Sequence, residues 1–342
     1  MALNTNSPIL VTGIHRSGST FVGNILSLNK NVGYIQEPFN QFYGLSIFDT
    51  DFKYLKAGTV SEDVRVVLDN LIHLKKATYS ITSVTESNKV IQGRRGILKE
   101  AIQNISVENI HKYIGKILFR SDSQLKFQLL KYNLRVNRVL MKDPLASLSS
   151  RYLSRRYDMD VVVLVRHPLS FAGSLKRLGW RFNFDNFLRQ KQLMSDYLEG
   201  YREELIYLNS KQTTVVEEAA MLWNCIYTVL ADFIDRNPSF IVYKHEQIAR
   251  YPLQSFKDLY KKLGLDFTPN VEEKIKKLTS SANPVEAINN KAHQFNRNST
   301  ALIHKWKDIL TAEEAEYISE KTAPLSSVFY SQDSFLNNTF TG

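Results

Sequence analysis

The sequence predicts an α/β protein with a mostly parallel β-sheet flanked by helices. Several short runs rich in β-branched residues are each followed by a turn signal and then by a segment with helical spacing of its apolar residues, which is typical of βαβ units. The first of these runs leads directly into a glycine-containing loop that opens a helix. Of the 342 residues, 43% are apolar, which is an ordinary value for a folded globular protein and is sufficient for a large core.

Five runs are predicted as the strands of this sheet. They are Pro8–Thr12, Asn31–Ile35, Arg138–Met141, Met159–Val165 and Ser239–Tyr243. Helices are predicted after the first strand, over Gly18–Leu28, and again over Glu217–Phe233 and Pro252–Leu263. Gly264 follows the last of these helices as a C-cap.

The chain is interpreted as a single α/β domain over residues 1–330, followed by a tail at 331–342. Residues 40–130 interrupt the βαβ pattern. They contain amphipathic stretches such as Ser61–Lys75 beside polar stretches such as Ser80–Lys89, and we interpret them as a largely helical insertion. No internal repeat is visible, which argues against a solenoid.

Composition excludes several classes of protein. The single cysteine, Cys225, cannot form an internal disulfide or a cysteine zinc cluster, and the seven histidines show no close pair, so no metal site is predicted. No run approaches the roughly 18 to 20 apolar residues of a membrane span. The first residues carry no basic region before their apolar stretch, unlike a secretory signal, and we expect a cytoplasmic protein. The excess of 44 Lys and Arg over 34 Asp and Glu gives a formal charge of +10, which favours anionic partners.

The loop Gly13–Thr20 joins the first strand to the first helix and has the spacing G-x-x-x-x-G. Backbone N–H groups and a helix N-terminus converge in such a loop, which makes it a P-loop-type site for an anion. Ser19 stands where a nucleotide triphosphatase carries lysine, and Arg16 supplies a cation instead. The loop is therefore suited to a phosphate or sulfate group and does not require a metal ion.

Titratable side chains follow each of the other predicted strands. Ligands of open parallel sheets bind outside the carboxyl ends of the strands, so these side chains are candidates for the same site. The segments are Gln36-Glu37-Pro38, Lys142-Asp143-Pro144, Arg166-His167-Pro168 and Lys244-His245-Glu246. Ser174 lies two helical turns beyond Arg166, so the two side chains together suit a second phosphate. We expect Arg16 and Arg166 to lie on the same rim of the sheet.

Together these segments resemble the sulfotransferases that use 3′-phosphoadenosine 5′-phosphosulfate (PAPS), especially the bacterial and tyrosylprotein-like branch. The likeness covers the core and the C-terminal third. His15-Arg16-Ser17-Gly18-Ser19-Thr20 resembles the family's 5′-phosphosulfate loop, and Met141-Lys142-Asp143-Pro144 resembles its K-D-P segment. Lys244-His245-Glu246-Gln247-Ile248 is similar to its R-Y-E-D-L series, with His245 where a tyrosine often flanks adenine.

The resemblance implies an enzyme that moves a sulfuryl group from PAPS to a hydroxyl or amine of an acceptor such as a small metabolite or glycan, leaving 3′-phosphoadenosine 5′-phosphate (PAP) and requiring no metal. Arg166 and Ser174 would bind the 3′-phosphate, and Arg297, Ser299 and Lys305 would belong to a closing cofactor loop. The insertion at 40–130 would lie on the acceptor side or form a lid.

Catalytic roles are implied in the same way. Glu37 would be the base, and Lys142, assisted by Ser299, would donate to the bridging oxygen of the donor. His15 and His167 are rival bases, because other sulfotransferases use histidine.

Two further readings remain open from the residues alone. A P-loop kinase or NTPase would require the lysine that Ser19 replaces. A non-catalytic anion-binding module for nucleic acid or acidic lipid would require a dense basic patch with aromatic residues, whereas the basic residues here are spread along the chain. We therefore expect no nucleic-acid partner. The acceptor cannot be read from the sequence.

Overall fold

The computed structural model describes residues 7–80, 82–84, 90–92, 121–210, 212–280 and 301–331. Seven strands occur in this part of the chain. They are β1 Ile9–Gly13, β2 Val32–Gln36, β3 Thr82–Val84, β4 Val90–Gln92, β5 Arg138–Lys142, β6 Asp160–Val165 and β7 Ile241–Lys244. None of the helices described is long and apolar enough to cross a membrane.

The longer described helices are numbered here in chain order, apart from single turns and 3₁₀ or π segments. They are α1 Ser19–Leu26, α2 Glu62–Ile72, α3 Asp122–Lys131, α4 Ser150–Tyr157, α5 Pro168–Leu178, α6 Arg202–Leu208, α7 Val215–Asp235, α8 His245–Arg250, α9 Pro252–Lys262, α10 Pro269–Thr279 and α11 Ala312–Ser326.

The central sheet is parallel, has five strands and follows the order β2-β5-β1-β6-β7. The five strands predicted from the sequence are these five, each shifted by no more than two residues at either end. Helices cover both faces, so the predicted fold class is confirmed. The carboxyl ends of parallel strands share one edge, which brings Gly13, Gln36, Lys142, Val165 and Lys244 to the same side of the sheet.

Two apolar layers sandwich the sheet. Side chains of a strand point alternately to its two faces, so Val161 and Val163 enter one layer while Val162 and Leu164 enter the other. The first layer is built mainly from α5 and α7, and the second from α1, α9 and α10. Because both faces are buried, these strands consist of continuous apolar runs rather than an alternating pattern.

Helix α7 is the longest described helix and contacts the carboxyl end of β6. Thr214 and Glu217 form a capping box at its start, which fixes where the helix begins. Its buried face packs against α5 and α11. Trp223 and Tyr227, both fully buried, extend from this face to the end of β6.

Residues 40–130 differ in part from the prediction. The predicted helical stretch Ser61–Lys75 corresponds to α2, and α3 is also helical. Strands β3 and β4 pair antiparallel over three residues each, and they were not predicted. Strands this short give too few positions for an alternating pattern to be recognised. Residues 93–120 lie outside the described residues, as does the predicted tail at 331–342 apart from its first residue.

The C-cap predicted at Gly264 is confirmed. This glycine has a φ of 62°, in the left-handed region. The Leu265 N–H donates to the Tyr260 carbonyl oxygen over 2.8 Å, as in a Schellman motif. The motif ends α9 and turns the chain toward α10.

Candidate active site

The loop between β1 and α1 is shaped by its backbone. Gly13 has a φ of 131°, and a Cβ atom there would overlap the carbonyl oxygen of Leu164, so only glycine fits between β1 and β6. Gly18, the residue before α1, has a φ of 92° and lies against His245, whose Nδ1 would be 2.9 Å from a Cβ atom at position 18. Arg16 also has a positive φ, 66°. A non-glycine residue in this conformation is strained, and such strain is concentrated at functional sites.

The predicted anion-binding residues lie together around this loop. The Arg16 Nε donates to the Ser174 Oγ over 3.3 Å, and the Arg16 guanidinium lies 5.4 Å from the centre of the Trp180 ring. The Arg166 Nη1 donates to the carbonyl oxygen of Arg16 over 2.5 Å. The two arginines therefore lie on one rim of the sheet and are joined by a hydrogen bond. The sequence predicted the shared rim but not the contact of Arg16 with Ser174.

Arg166 is held mainly through its backbone. Its N–H donates to the Tyr227 hydroxyl over 3.2 Å, and the Trp223 Nε1 donates to its carbonyl oxygen over 2.8 Å. Burial lowers the pKa of Arg166 to about 10, although the carboxylate of Glu246 opposes this effect. The guanidinium therefore stays charged at neutral pH, while its buried Nε has no hydrogen-bond partner among the described residues.

The carboxylate of Glu246 accepts hydrogen bonds from two neutral donors. One of its carboxylate oxygens accepts from the His167 N–H over 3.0 Å, and the other accepts from the Tyr330 hydroxyl over 2.9 Å. Burial raises the pKa of this carboxyl group. Tyr330 stands just beyond α11, so the C-terminal helix is tied to the strand ends. Glu246 was a candidate from the sequence because it follows a predicted strand, whereas no sequence signal marks Tyr330.

Three histidines around the loop are kept neutral. Burial, reinforced by Arg16, lowers the pKa of His15 to about 4, whereas Glu37 opposes the shift. Burial, with Arg166 and Arg16, lowers the pKa of His245 to about 3, and burial alone lowers the pKa of His167 to about 3. His15 lies among the rings of Phe52, Phe171 and Trp180, with centroids 5.3 to 6.4 Å away. His167 is 1% exposed and lies against the ring of Tyr330.

Glu37 and Lys142 form an ion pair at the next strand ends. The Lys142 Nζ donates to the Glu37 Oε1, and the side chains are 0% and 14% exposed, respectively. A Tyr43 hydroxyl donates to the other oxygen, Oε2. The Glu37 N–H donates to the Lys142 carbonyl oxygen over 2.8 Å, which extends the β2–β5 pairing by one residue. The pairing thus brings the carboxylate and the ammonium together.

Asp143 organises the chain behind this pair. Its Oδ2 accepts from the Phe39 N–H over 2.7 Å, and its Oδ1 accepts from the Leu145 N–H over 2.8 Å. Burial, and secondarily the charge of Glu37, raises the pKa of Asp143 to about 8. Because both oxygens are occupied by backbone donors, Asp143 fixes the two chain segments that leave β2 and β5.

The remaining predicted residues fall into two groups. Ser17, Ser19 and Thr20 lie in the loop and the first turn of α1, where Ser17 and Ser19 are buried. Lys305 pairs with Asp308 over 3.2 Å, in a 3₁₀ segment that packs against α5. Arg297 and Ser299 lie outside the described residues. In the described part of the chain, no cluster of three His, Cys, Asp or Glu side chains is arranged to hold a metal ion.

The fold and this edge define an α/β protein in which an arginine-bearing loop, predicted to bind an anion, lies beside a carboxylate–lysine pair. No family model matches the chain. Human carbohydrate sulfotransferase 3 is 23% identical to it over 351 residues, covering 94% of this chain and 66% of that protein. The rat protein of the same name is 26% identical over 179 residues, covering 51% of this chain and 34% of the relative. The chain therefore spans less than two thirds of the length of these curated relatives.

Similar solved structures were also found. A sulfotransferase domain from the curacin biosynthetic pathway has a TM-score of 0.44 and 14% identity, covering 93% of this chain and 97% of that one. Mouse sulfotransferase SULT7A1 complexed with PAP has a TM-score of 0.40 and 11% identity, covering 97% and 86%.

The relationship to the carbohydrate sulfotransferases extends over nearly the whole of this chain. These relatives are sulfotransferases, which supports the family that the sequence resembles.

Proposed function

We propose that this protein transfers a sulfuryl group from PAPS to a hydroxyl or amine of an acceptor, with Glu37 as the base. The supporting observation is that the loop bearing Arg16, the neighbouring Arg166 and a carboxylate–lysine pair share one edge of the sheet. The name of the relative, carbohydrate sulfotransferase 3, favours a glycan among the possible acceptors.

The residues at the loop suit a nucleotide with two anionic ends. The buried Arg166 Nε and Ser17 Oγ have no hydrogen-bond partner among the described residues. Buried donors of this kind are costly unless a ligand or water satisfies them. Arg16 and the amides of Ser17–Thr20 would hold the 5′ end, and Arg166 with Ser174 would hold the 3′-phosphate. His245 lies beside Gly18, where the resemblance places the adenine contact.

PAPS would supply an activated sulfuryl group, which needs no metal ion in this proposal. The chain itself would supply a base and a cation. Glu37 would accept the proton of the acceptor group, and the ammonium of Lys142 at its Oε1 favours the ionised carboxylate that this role requires. Ser299, Arg297 and Lys305 retain the roles that the sequence resemblance implies.

The decisive binding test is calorimetry with PAP, with and without Mg²⁺. Binding that is equal in both conditions supports the proposal. Mg²⁺-dependent ATP binding and turnover, with no PAP binding, would instead support the kinase or NTPase reading. Binding of nucleic acid or acidic vesicles without PAP binding would support the non-catalytic module.

The catalytic test is Glu37→Gln, assayed by sulfuryl transfer to a panel of glycans and small hydroxylated compounds. Transfer should fall by about 100-fold or more, the usual contribution of a general base, while PAP binding is retained. Near-normal transfer would remove Glu37 from the role and leave His15 and His167 as the rival bases.

The Glu37→Gln variant needs a folding control. It leaves the fully buried Lys142 without its carboxylate, and an uncompensated buried charge is destabilising by about 3–5 kcal/mol. The double variant Glu37→Gln with Lys142→Met removes that charge. It should recover much of the lost thermal stability without recovering transfer, which separates loss of chemistry from loss of folding.

A further inference from the structure

Tyr43 contacts the proposed base directly. Its hydroxyl donates to the Glu37 Oε2, while the Lys142 Nζ donates to Oε1. The two oxygens of one carboxylate are therefore held from two different parts of the chain. Lys142 comes from the end of strand β5, whereas Tyr43 comes from the loop that follows Glu37 itself.

The loop from Pro38 to Leu45 is closed in a way that returns Tyr43 to Glu37. The Asn40 Oδ1 accepts from the N–H groups of Phe42 and Tyr43, over 2.9 and 3.3 Å. The Gly44 N–H donates to the Asn40 carbonyl oxygen, and the Leu45 N–H donates to the Pro38 carbonyl oxygen, each over 2.8 Å.

Two further features fix this loop. A Cβ atom at Gly44 would overlap the carbonyl oxygens of Asn40 and Pro38, so the turn can be this tight only with glycine. The Leu45 side chain is fully buried in the core and anchors the end of the loop. The position of the Tyr43 hydroxyl is therefore determined by the loop's own hydrogen bonds and by one core contact.

We propose that Tyr43 is a positioning residue that keeps the Glu37 carboxylate aimed and ionised when Lys142 turns toward the donor. The inference rests on the proposed function, in which Lys142 serves both Glu37 and the leaving oxygen. The ammonium of Lys142 cannot stabilise the Glu37 carboxylate fully while it also donates a hydrogen bond to the leaving oxygen of PAPS. A second donor on Oε2 removes this conflict.

Tyr43 is suited to the task because it remains a neutral donor. Burial, together with the charge of Glu37 and the hydrogen bond to it, raises the pKa of its phenol far above neutral pH. The hydroxyl therefore stays protonated throughout the working range. Lysine at this position would add a charge that competes with Lys142, whereas a phenol stabilises the carboxylate without changing the net charge.

Several charged or titratable groups face Glu37 besides Tyr43, and all of them must stay in place in the test. They are Lys142 from β5, Asp143 after it, His15 from the anion loop, Tyr34 from β2 and Asp51 from the segment before α2.

The test is Tyr43→Phe, with Tyr152→Phe as the matched control. Tyr152 is a buried tyrosine on α4 whose hydroxyl has no hydrogen-bond partner among the described residues, so its loss should change nothing at Glu37. A hydrogen bond to a charged group is lost only in Tyr43→Phe. We expect kcat to fall about tenfold or more with the donor KM unchanged, and the acidic limb of the rate profile to move up by about one pH unit.

A second readout does not depend on turnover. In protein labelled with ¹³C at the glutamate side-chain carboxyl, the Glu37 signal is assigned by its loss in Glu37→Gln, and its titration is followed by NMR. The midpoint should move up by about one pH unit in Tyr43→Phe and not at all in Tyr152→Phe. An unmoved midpoint overturns the inference, as does a rate loss that appears only in the donor KM. A moved midpoint in a protein whose wild type transfers no sulfuryl group would confirm the contact with Glu37 and overturn the proposed function alone.

Discussion

Replacing Arg166 by methionine should have opposite effects on the stability of the free protein and on nucleotide binding. Burial lowers the pKa of Arg166 from 12.5 to about 10. A shift of that size corresponds to about 3 kcal/mol by which folding disfavours the charged guanidinium, at 1.36 kcal/mol per unit. Against this, Arg166→Met loses one hydrogen bond, to the Arg16 carbonyl oxygen, worth roughly 1.5 kcal/mol. The net expectation is a gain of about 1–2 kcal/mol in the free energy of unfolding, or a few degrees in Tm.

The same change should weaken binding of PAP. Truncating a buried cation that pairs with a phosphate typically costs about 2–5 kcal/mol of binding free energy, so the Kd should rise about 30-fold or more. Calorimetry measures the Kd, and thermal unfolding without ligand measures the stability. Arg202→Met is the control, because that side chain forms a half-exposed pair with Glu199 and should change neither quantity. A destabilised Arg166→Met protein that still binds PAP normally would refute the reasoning.

Two other predictions follow from the same edge of the sheet. Gly18→Ala should destabilise the protein and weaken PAP binding more than Gly58→Ala does. Both glycines have a φ near 90°, but only Gly18 lies against His245. Thermal shift and calorimetry on the two variants therefore separate the effect of this close contact from the effect of the positive φ. Equal effects in the two variants would contradict the prediction. Stability should also fall as pH drops from 6.5 to 5.5. The folded pKa values of His15, His167 and His245 lie at about 3 to 4, below the unfolded value of 6.5, so the unfolded chain binds protons first. Each histidine should remove about 1 kcal/mol over that interval. Urea unfolding at the two pH values measures the change, and a flat profile would show that these side chains are not buried as described.

The architecture could be predicted because both faces of the sheet are covered. Continuous apolar runs such as Val161–Val165 are recognisable without neighbours, since every position in them is buried. The same reasoning predicted which side chains lie at the edge of the sheet, because each of them is at the end of such a run or directly after it. They are Glu37, Lys142, Arg166 and His245. Strands β3 and β4 escaped prediction because three paired residues carry no periodic signal.

Contacts that depend on loop geometry could not be predicted from the sequence. Tyr43 reaches Glu37 only because the turn around Asn40 and Gly44 closes, and no spacing rule places a tyrosine six residues after its partner. The contact of Arg16 with Ser174 likewise depends on the positive φ of Arg16. Tyr330 meets Glu246 across 84 positions of the chain. In each case the residue type was visible, but the partner was set by tertiary structure.

The formal charge of +10 is a weaker guide to the ligand than the placement of a few charges. Many described lysines and arginines pair with nearby carboxylates at the surface, and such pairs are screened by solvent. At the anion loop the balance is different. Arg16 and Arg166 lie in contact, the histidines beside them are held neutral, and Glu246 is occupied by the His167 N–H and the Tyr330 hydroxyl. Burial disfavours the charge of the Arg166 guanidinium, so the free protein holds this cation at a cost that an anionic ligand would relieve. This burial cost is why the stability and binding effects of Arg166→Met should run in opposite directions if the proposed function is right.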